Sequence, residues 1–140
     1  MNLLRLAGAL ESKGTAYRER ALQTLAAFKP RWSEFPHAMP RMLCALELAL
    51  GPPRQVVLAG DPESADFQAM AAVLAESLGP RRSILCADGG SAQAWLAARA
   101  PWIAEMRPLN GPATAYVCEN YACQSPASTP GELRQRLSPP

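Results

Sequence analysis

Two cysteines near the C-terminus are the residues with the clearest chemical potential. Cys118 and Cys123 lie five positions apart, a spacing that matches neither the C-x-x-C of thioredoxin-like redox centres nor a zinc knuckle. Two free thiols are predicted, with a disulfide or a thiol-dependent activity as the alternative. No metal site is expected, because the other potential ligands are Cys44 and Cys86 in apolar segments and His37 at a helix start.

A second set of candidates lies in two glycine-containing turns, each between a predicted strand and a predicted helix. The turns are Gly60-Asp61 and Asp88-Gly89-Gly90. Amide groups at a helix N-terminus bind anions, and ligands of open α/β sheets bind at the carboxyl ends of strands. Neither turn matches a dinucleotide or P-loop pattern, and each places a carboxylate where phosphate would be repelled. A capped turn is therefore the preferred interpretation and a ligand site the alternative.

The other polar and aromatic side chains give no further catalytic candidate, and no cofactor is predicted. His37 follows a proline at a predicted helix start, where a capping or surface role is expected. Trp32, Trp95 and Trp102 have faces that stack on a sugar ring, but packing in a core or an interface also explains them.

Apolar periodicity predicts helix over most of the first fifty residues. The first expected helix has an apolar face from Leu3 to Leu10 and ends near Gly14. The second runs from Thr15, as N-cap, to Pro30, and the third from about His37 to Leu50. Residues 1–50 are therefore predicted to be a helical segment.

The period changes after residue 51, and residues 51–140 are predicted to be a small α/β segment. Asp61 is expected to cap a helix that begins at Pro62 and extends to Leu78. Asn110-Gly111 predicts a turn before the third strand, whose direction the sequence leaves open. The predicted fold is α/β, with three N-terminal helices followed by a small three-stranded, mainly parallel sheet and flanking helices. The predicted strands are residues 55–59, 83–87 and 114–119, and the later helices are 91–98 and 130–137.

Composition excludes two classes of partner. The formal net charge is +2, and the basic residues are scattered rather than gathered into the stripe of a nucleic-acid binder. No apolar run approaches the roughly 20 residues that cross a bilayer. The N-terminus lacks the features of a signal peptide, so we expect a cytoplasmic protein with reduced thiols and no contact with membrane or nucleic acid.

Several short segments carry a family resemblance when they are taken in order. The most specific is the run from Thr114 to Cys123, Thr-Ala-Tyr-Val-Cys-x-Asn-Tyr-x-Cys, after Asn110-Gly111. The others are residues 2–6, residues 36–40 and Val56-Val-Leu-Ala-Gly-Asp-Pro62. With these segments the chain resembles the C-terminal portion of the thioredoxin-domain-containing, spermatogenesis-associated protein family.

The resemblance implies an architecture larger than this chain. Members of that family have an N-terminal thioredoxin-like domain and a helical barrel similar to six-hairpin glycosidases and N-acylglucosamine 2-epimerases. Residues 1–50 would then correspond to the last helices of the barrel. The implied function is a non-catalytic C-terminal module that packs against a partner polypeptide carrying the thioredoxin-like and barrel portions. The alternatives are a part of a carbohydrate-modifying enzyme and a small redox protein that uses Cys118 and Cys123. No catalytic residue of the family matches a position here.

Overall fold

The computed structural model describes residues 1–10, 14–52, 54–77, 82–119 and 122–138. Its helices are α1 (Asn2–Ala9), α2 (Gly14–Ala27), α3 (Lys29–Glu34), α4 (Pro40–Leu50), α5 (Ala65–Glu76), α6 (Ser91–Ala97) and α7 (Pro130–Leu137). Its strands are β1 (Arg54–Ala59), β2 (Arg82–Ala87), β3 (Thr114–Glu119) and β4 (Ala122–Cys123). Two 3₁₀ turns occupy Pro36–Ala38 and Pro101–Glu105. The α/β class is confirmed.

The sheet is mixed and has four strands in the order β2-β1-β3-β4, which corrects the prediction of three mainly parallel strands. Strands β1 and β2 are parallel, whereas β3 is antiparallel to β1 and begins opposite Ala59, the last residue of β1. The connection between β2 and β3, residues 88–113, is long enough for a parallel crossover, so its length leaves the direction open. In the fold the side chain of Gln93 ties this connection to Gly89, at the carboxyl end of β2. The chain therefore enters β3 from that end, and β3 runs back.

Each face of the sheet packs on its own apolar cluster. On one face Val56 and Leu58 of β1 contact α5 and α7, with Met70 and Leu133 fully buried. On the other face Val57, Ala59 and Ala87 pack near Trp102. The fourth strand, β4, was not predicted because its two residues are exposed and carry no apolar pattern.

The described part of the first fifty residues forms four α-helices rather than the predicted three. Helix α2 ends at Ala27, before Pro30, and Pro30 lies in the first turn of α3, where proline is favourable. Thr15 lies inside α2 rather than at its N-cap, and the last of these helices begins at Pro40, not at His37. Helices α1, α2 and α4 bury a separate cluster that includes Leu4, Leu25 and Leu48.

Helix α5 begins three residues later than predicted. Ser64, not Asp61, is its N-cap, and the Ser64 hydroxyl accepts from the Phe67 amide at 3.4 Å. Phe67, Met70 and Leu74 form the predicted inner stripe of this helix. The predicted end at Leu78 lies outside the described residues.

Candidate functional site at the carboxyl ends of the parallel strands

The two candidate turns lie side by side, as the parallel pairing of their strands requires. Gly60 follows β1 and donates its amide to the carbonyl of Ala87, the last residue of β2, at 3.1 Å. Asp61 and Asp88 therefore follow neighbouring strands at one edge of the sheet. What this edge can bind depends on whether its amide groups are available.

The turn after β1 is closed by its own side chains. Gly60 has a φ of 144°, and a Cβ there would lie 3.2 Å from the Cα of Ala113, so glycine is required. The Asp61 carboxylate accepts from the Glu63 amide at 3.0 Å, and the Asp61 carbonyl accepts from the Ser64 hydroxyl at 2.7 Å. Asp61 therefore stabilises the turn, whereas the sequence predicted that it would cap the helix.

The turn after β2 is closed in the same way. Asp88 Oδ1 accepts from the amides of Gly90 at 2.8 Å and Gln93 at 3.3 Å. Gly89 has a positive φ of 75°, and its amide donates to Gln93 Oε1 at 2.7 Å. Three amides of this turn, those of Gly89, Gly90 and Gln93, are therefore already satisfied by a carboxylate and a side-chain carbonyl.

Gln93 organises this edge, and sequence reasoning missed it. It is buried on α6, and its side-chain NH₂ donates to the carbonyls of Ile103 at 2.9 Å and Met106 at 3.0 Å. It thus ties the Pro101–Glu105 turn to the end of β2. One polar residue in an alanine-rich helix gives little signal, because its position five residues after Asp88 becomes meaningful only once the turn is folded.

A shallow cavity of about 450 Å³ borders the second turn at Gly89 and Gly90. Its other wall includes Ala104 and Arg107, whereas neither Gly60 nor Asp61 lines it. The structure therefore brings the two turns together, and this cavity borders only the second of them.

Cys118 and Cys123 form a disulfide, so the prediction of two free thiols is wrong at these positions. They lie directly opposite each other in β3 and β4. The neighbouring Gln124 amide donates to the Val117 carbonyl at 2.9 Å, which makes the cysteines a non-hydrogen-bonded pair, the closer kind in an antiparallel ladder. Cys118 is buried and Cys123 exposed. Residues 120 and 121 between them lie outside the described residues.

The two remaining cysteines are free, as predicted. Cys86 is half-buried in β2, and burial raises the pKa of its thiol, with the negative charge of Asp88 adding to the shift. Both causes favour the protonated form, and the thiolate is the nucleophile. Both effects make Cys86 a weaker candidate for a nucleophilic thiol.

The aromatic candidates and the histidine lie on separate elements. The indole N–H of Trp32 on α3 donates to the Leu25 carbonyl at 3.1 Å. The Arg99 guanidinium lies over the ring of Trp95 on α6, with its central carbon 3.8 Å from the ring centroid. Trp102 packs on the sheet. His37 is exposed in the Pro36–Ala38 turn. No pair of these rings forms a stacking platform in the described part of the chain.

Two kinds of feature are absent from the residues that the structure describes. These residues contain no cluster of three or more His, Cys, Asp or Glu side chains able to hold a metal ion. None of the described helices has the length and apolar character needed to cross a membrane.

Fold and site together define a small mixed α/β module whose turns are closed by its own side chains. Over nearly its whole length the chain is similar to spermatogenesis-associated protein 20 from three mammals. It is 35% identical to the human protein over 138 residues, or 99% of this chain, and 32% and 31% identical to the rat and mouse proteins over 136 residues. The relationship to the spermatogenesis-associated family predicted from the sequence is therefore confirmed.

The matched segment is only a portion of those relatives. The chain spans 17% of the length of each, which is consistent with the predicted correspondence to a C-terminal portion. No family model matches the chain, and no solved structure matches it.

Proposed function

We propose that this chain is a non-catalytic module that packs against a larger polypeptide through the exposed side of its N-terminal helices. That polypeptide corresponds to the remainder of the longer relatives, with the thioredoxin-like and barrel portions that the resemblance implies. The observation that carries the proposal is a set of exposed apolar side chains at the two ends of α3 and on α4, which we call the helical face. It comprises Phe28 and Phe35, which flank α3, and Leu43 and Leu50 of α4, and these are 39%, 52%, 36% and 79% exposed.

The helical face is continuous with elements that have no core of their own. Neither α3 nor the Pro36–Ala38 turn contains a buried residue. Leu43 and Leu50 are seven residues apart, two turns of α4, and so share one side of that helix. The opposite side carries the buried Ala45 and Ala49. The exposed side also carries Glu47, between the two leucines. A helix with apolar residues on both sides is typical of one packed between two layers.

A second, mainly apolar feature is a groove on the opposite side of α4, with Arg41 among its lining residues. It encloses about 400 Å³ between α1, α2 and α4, and its lining includes Leu3, Leu25 and Met42. A groove of this kind accepts side chains from a packed helix. Its apolar lining supports a protein partner rather than a polar metabolite.

The test is a binding experiment with human spermatogenesis-associated protein 20 from which the matched segment has been deleted. We expect the 140-residue chain to bind this truncated protein in isothermal titration calorimetry. Leu50→Glu should weaken binding at least tenfold, because it buries a charge in an apolar interface. Leu109→Glu is the matched control, since Leu109 is also exposed, at 42%, but lies before β3.

The pattern across the two variants decides the proposal. Loss of binding in Leu50→Glu alone supports it. Equal binding by both variants, or no binding by the unchanged chain, contradicts it.

The redox alternative has one observation in its favour, the disulfide itself. A thiolate can reach the exposed Cys123 sulfur and form a mixed disulfide, and the bond that breaks releases Cys118 as the leaving thiolate. Cys118 is only 2% exposed, and burial disfavours that charged leaving group. We therefore expect slow reduction, which suits a structural bond better than a catalytic one. The carbohydrate-modifying alternative and a cytoplasmic location stay predictions.

A further inference from the structure

The outer edge of β2 lies in a groove between two helices. The groove encloses about 380 Å³, with Arg5 and Leu6 of α1 on one side and Leu74 of α5 on the other. Ile84 of β2 forms part of its floor and is 54% exposed. Strand β1 pairs with the inner edge of β2. In the described part of the chain no strand pairs with the outer edge.

Backbone geometry shows which groups face the groove. In a parallel pair, alternate residues direct both backbone polar groups towards the neighbouring strand. The Ala87 carbonyl accepts from Gly60 of the β1 side, so Ser83 and Leu85 also face β1. Ile84 and Cys86 then direct their amide and carbonyl groups to the open edge, and neither forms a hydrogen bond there with a described residue.

The groove is also positively charged. Its lining includes Arg5 and Arg82 and, among the residues that the structure describes, no carboxylate. Arg82 donates to the carbonyls of Ser77 at 2.7 Å and Leu137 at 3.2 Å, which are neutral partners. Arg5 Nε is shielded from solvent and has no hydrogen-bond partner among the described residues. A buried donor without a partner is costly, so an incoming acceptor would be favourable.

We propose that an extended acidic segment of a partner polypeptide adds to β2 as a further strand. Its backbone would bond to the open groups of Ile84 and Cys86, its apolar side chains would contact Leu6 and Leu74, and its carboxylates would meet the two arginines. A second copy of this chain is a poorer occupant, because it would place two grooves that each contain Arg5 and Arg82 in one interface. This surface is distinct from the helical face, so the inference goes beyond the proposed function.

Amide exchange measured by two-dimensional NMR on the 140-residue chain tests the proposal. The probe is a soluble decapeptide of alternating valine and glutamate, and the control peptide replaces glutamate with lysine. We expect the glutamate peptide to slow exchange at Ile84 and Cys86, while Ser83 and Leu85 change little because they already bond to β1. The lysine peptide should leave all four amides unchanged.

Charge variants make the test specific. Arg5→Gln keeps most of the aliphatic stem of the side chain and should weaken binding of the glutamate peptide about threefold to tenfold. Arg5→Glu should transfer the preference to the lysine peptide. Arg99→Gln removes an exposed arginine that lies just after α6 and does not line the groove, and it should leave the binding of both peptides unchanged.

Three outcomes would overturn the inference. They are no protection at Ile84 and Cys86, equal binding of both peptides, and protection that grows with the concentration of the chain alone, which would identify a second copy as the occupant. Leu50→Glu separates the two proposals, because it disrupts the helical face and should leave peptide binding unchanged.

Discussion

Asp66 joins the start of α5 to the segment that leads into β3. Its Oδ2 accepts from the Ala113 amide at 2.5 Å. That bond is the largest cause of a lowered pKa, and a hydrogen bond from Ser64 adds to it. Sequence reasoning assigned Asp66 no role here, because Ala113 is 47 positions away and only the fold brings the two together.

Replacing Asp66 should reduce the acid sensitivity of the protein. A carboxylate whose pKa is lowered in the folded state stabilises it above the unfolded pKa, and this stabilisation is lost as pH falls through the folded value. Asp66→Asn should therefore be less stable than the unchanged chain near neutral pH and lose less stability between about pH 5 and pH 2. Urea unfolding at several pH values measures this. Glu105→Gln, which changes an exposed carboxylate, is the control; an unchanged acid slope in Asp66→Asn would refute the role.

The disulfide should stabilise the hairpin of β3 and β4 modestly. Closing a loop of five residues contributes about 2 kcal/mol in the chain-entropy treatment. A Cys118→Ala, Cys123→Ser double variant should lose that amount in urea unfolding and become insensitive to reductant. Cys44→Ala should remain sensitive to reductant. Reductant sensitivity that persists in the double variant would show that another thiol is responsible.

At the scale of elements, Arg82 connects the ends of two helices to the sheet. The Ser77 carbonyl closes α5 and the Leu137 carbonyl closes α7, and both accept from the same guanidinium. Carbonyls at a helix C-terminus carry partial negative charge, so a cation there is stabilising. Strand β2 therefore anchors both helices that cover one face of the sheet.

We expect Arg82→Met to destabilise the protein by about 1–2 kcal/mol, because it leaves carbonyls of two helix ends without their charged donor. Arg99→Met, which removes a local contact with the Trp95 carbonyl, should cost less than about 0.5 kcal/mol. Thermal unfolding followed by circular dichroism compares them. Equal effects of the two substitutions would mean that Arg82 contributes only as a surface charge.

The elements that the sequence predicted well have local causes. Helix α7 follows Thr129, whose hydroxyl accepts from the Glu132 amide at 3.2 Å, while the Glu132 carboxylate accepts from the Ser128 amide at 2.8 Å. Asn110 and Gly111 adopt positive φ values of 57° and 99°, which confirms the predicted turn. In contrast, β4 depends on its pairing with β3 and has no local signal.

At the scale of the whole molecule, the helical half and the sheet bury separate clusters. A contact between the halves is made by Gln55 of β1, whose side-chain NH₂ donates to the Gly8 carbonyl of α1. Gln55 is buried, and it pairs with Cys118 across the sheet. The disulfide therefore lies close to the point where the helices meet the sheet.

Stability should be uneven across these halves. Amides of Val57 and Leu58, in a strand that is nearly inaccessible to solvent, should exchange most slowly, and those of Trp32 and Ser33 in α3 among the fastest of the helical amides. Hydrogen exchange of the chain alone, followed by NMR, gives this order. Similar protection of α3 and β1 would mean that the helical face is already covered in solution, for example by self-association.

The sequence by itself determined the class of fold, the family relationship, the central β1 strand and the Asn110-Gly111 turn, because each is encoded in contiguous residues through periodicity, glycine or a short motif. The tertiary structure alone decided the direction of β3, the pairing of Cys118 with Cys123, the role of Gln93 and the open edge of β2. Each of these depends on groups that are distant in sequence or on a neighbour that only the folded chain supplies. Residues 88–113 could return the chain to either end of the sheet, and no local pattern records which end it reaches.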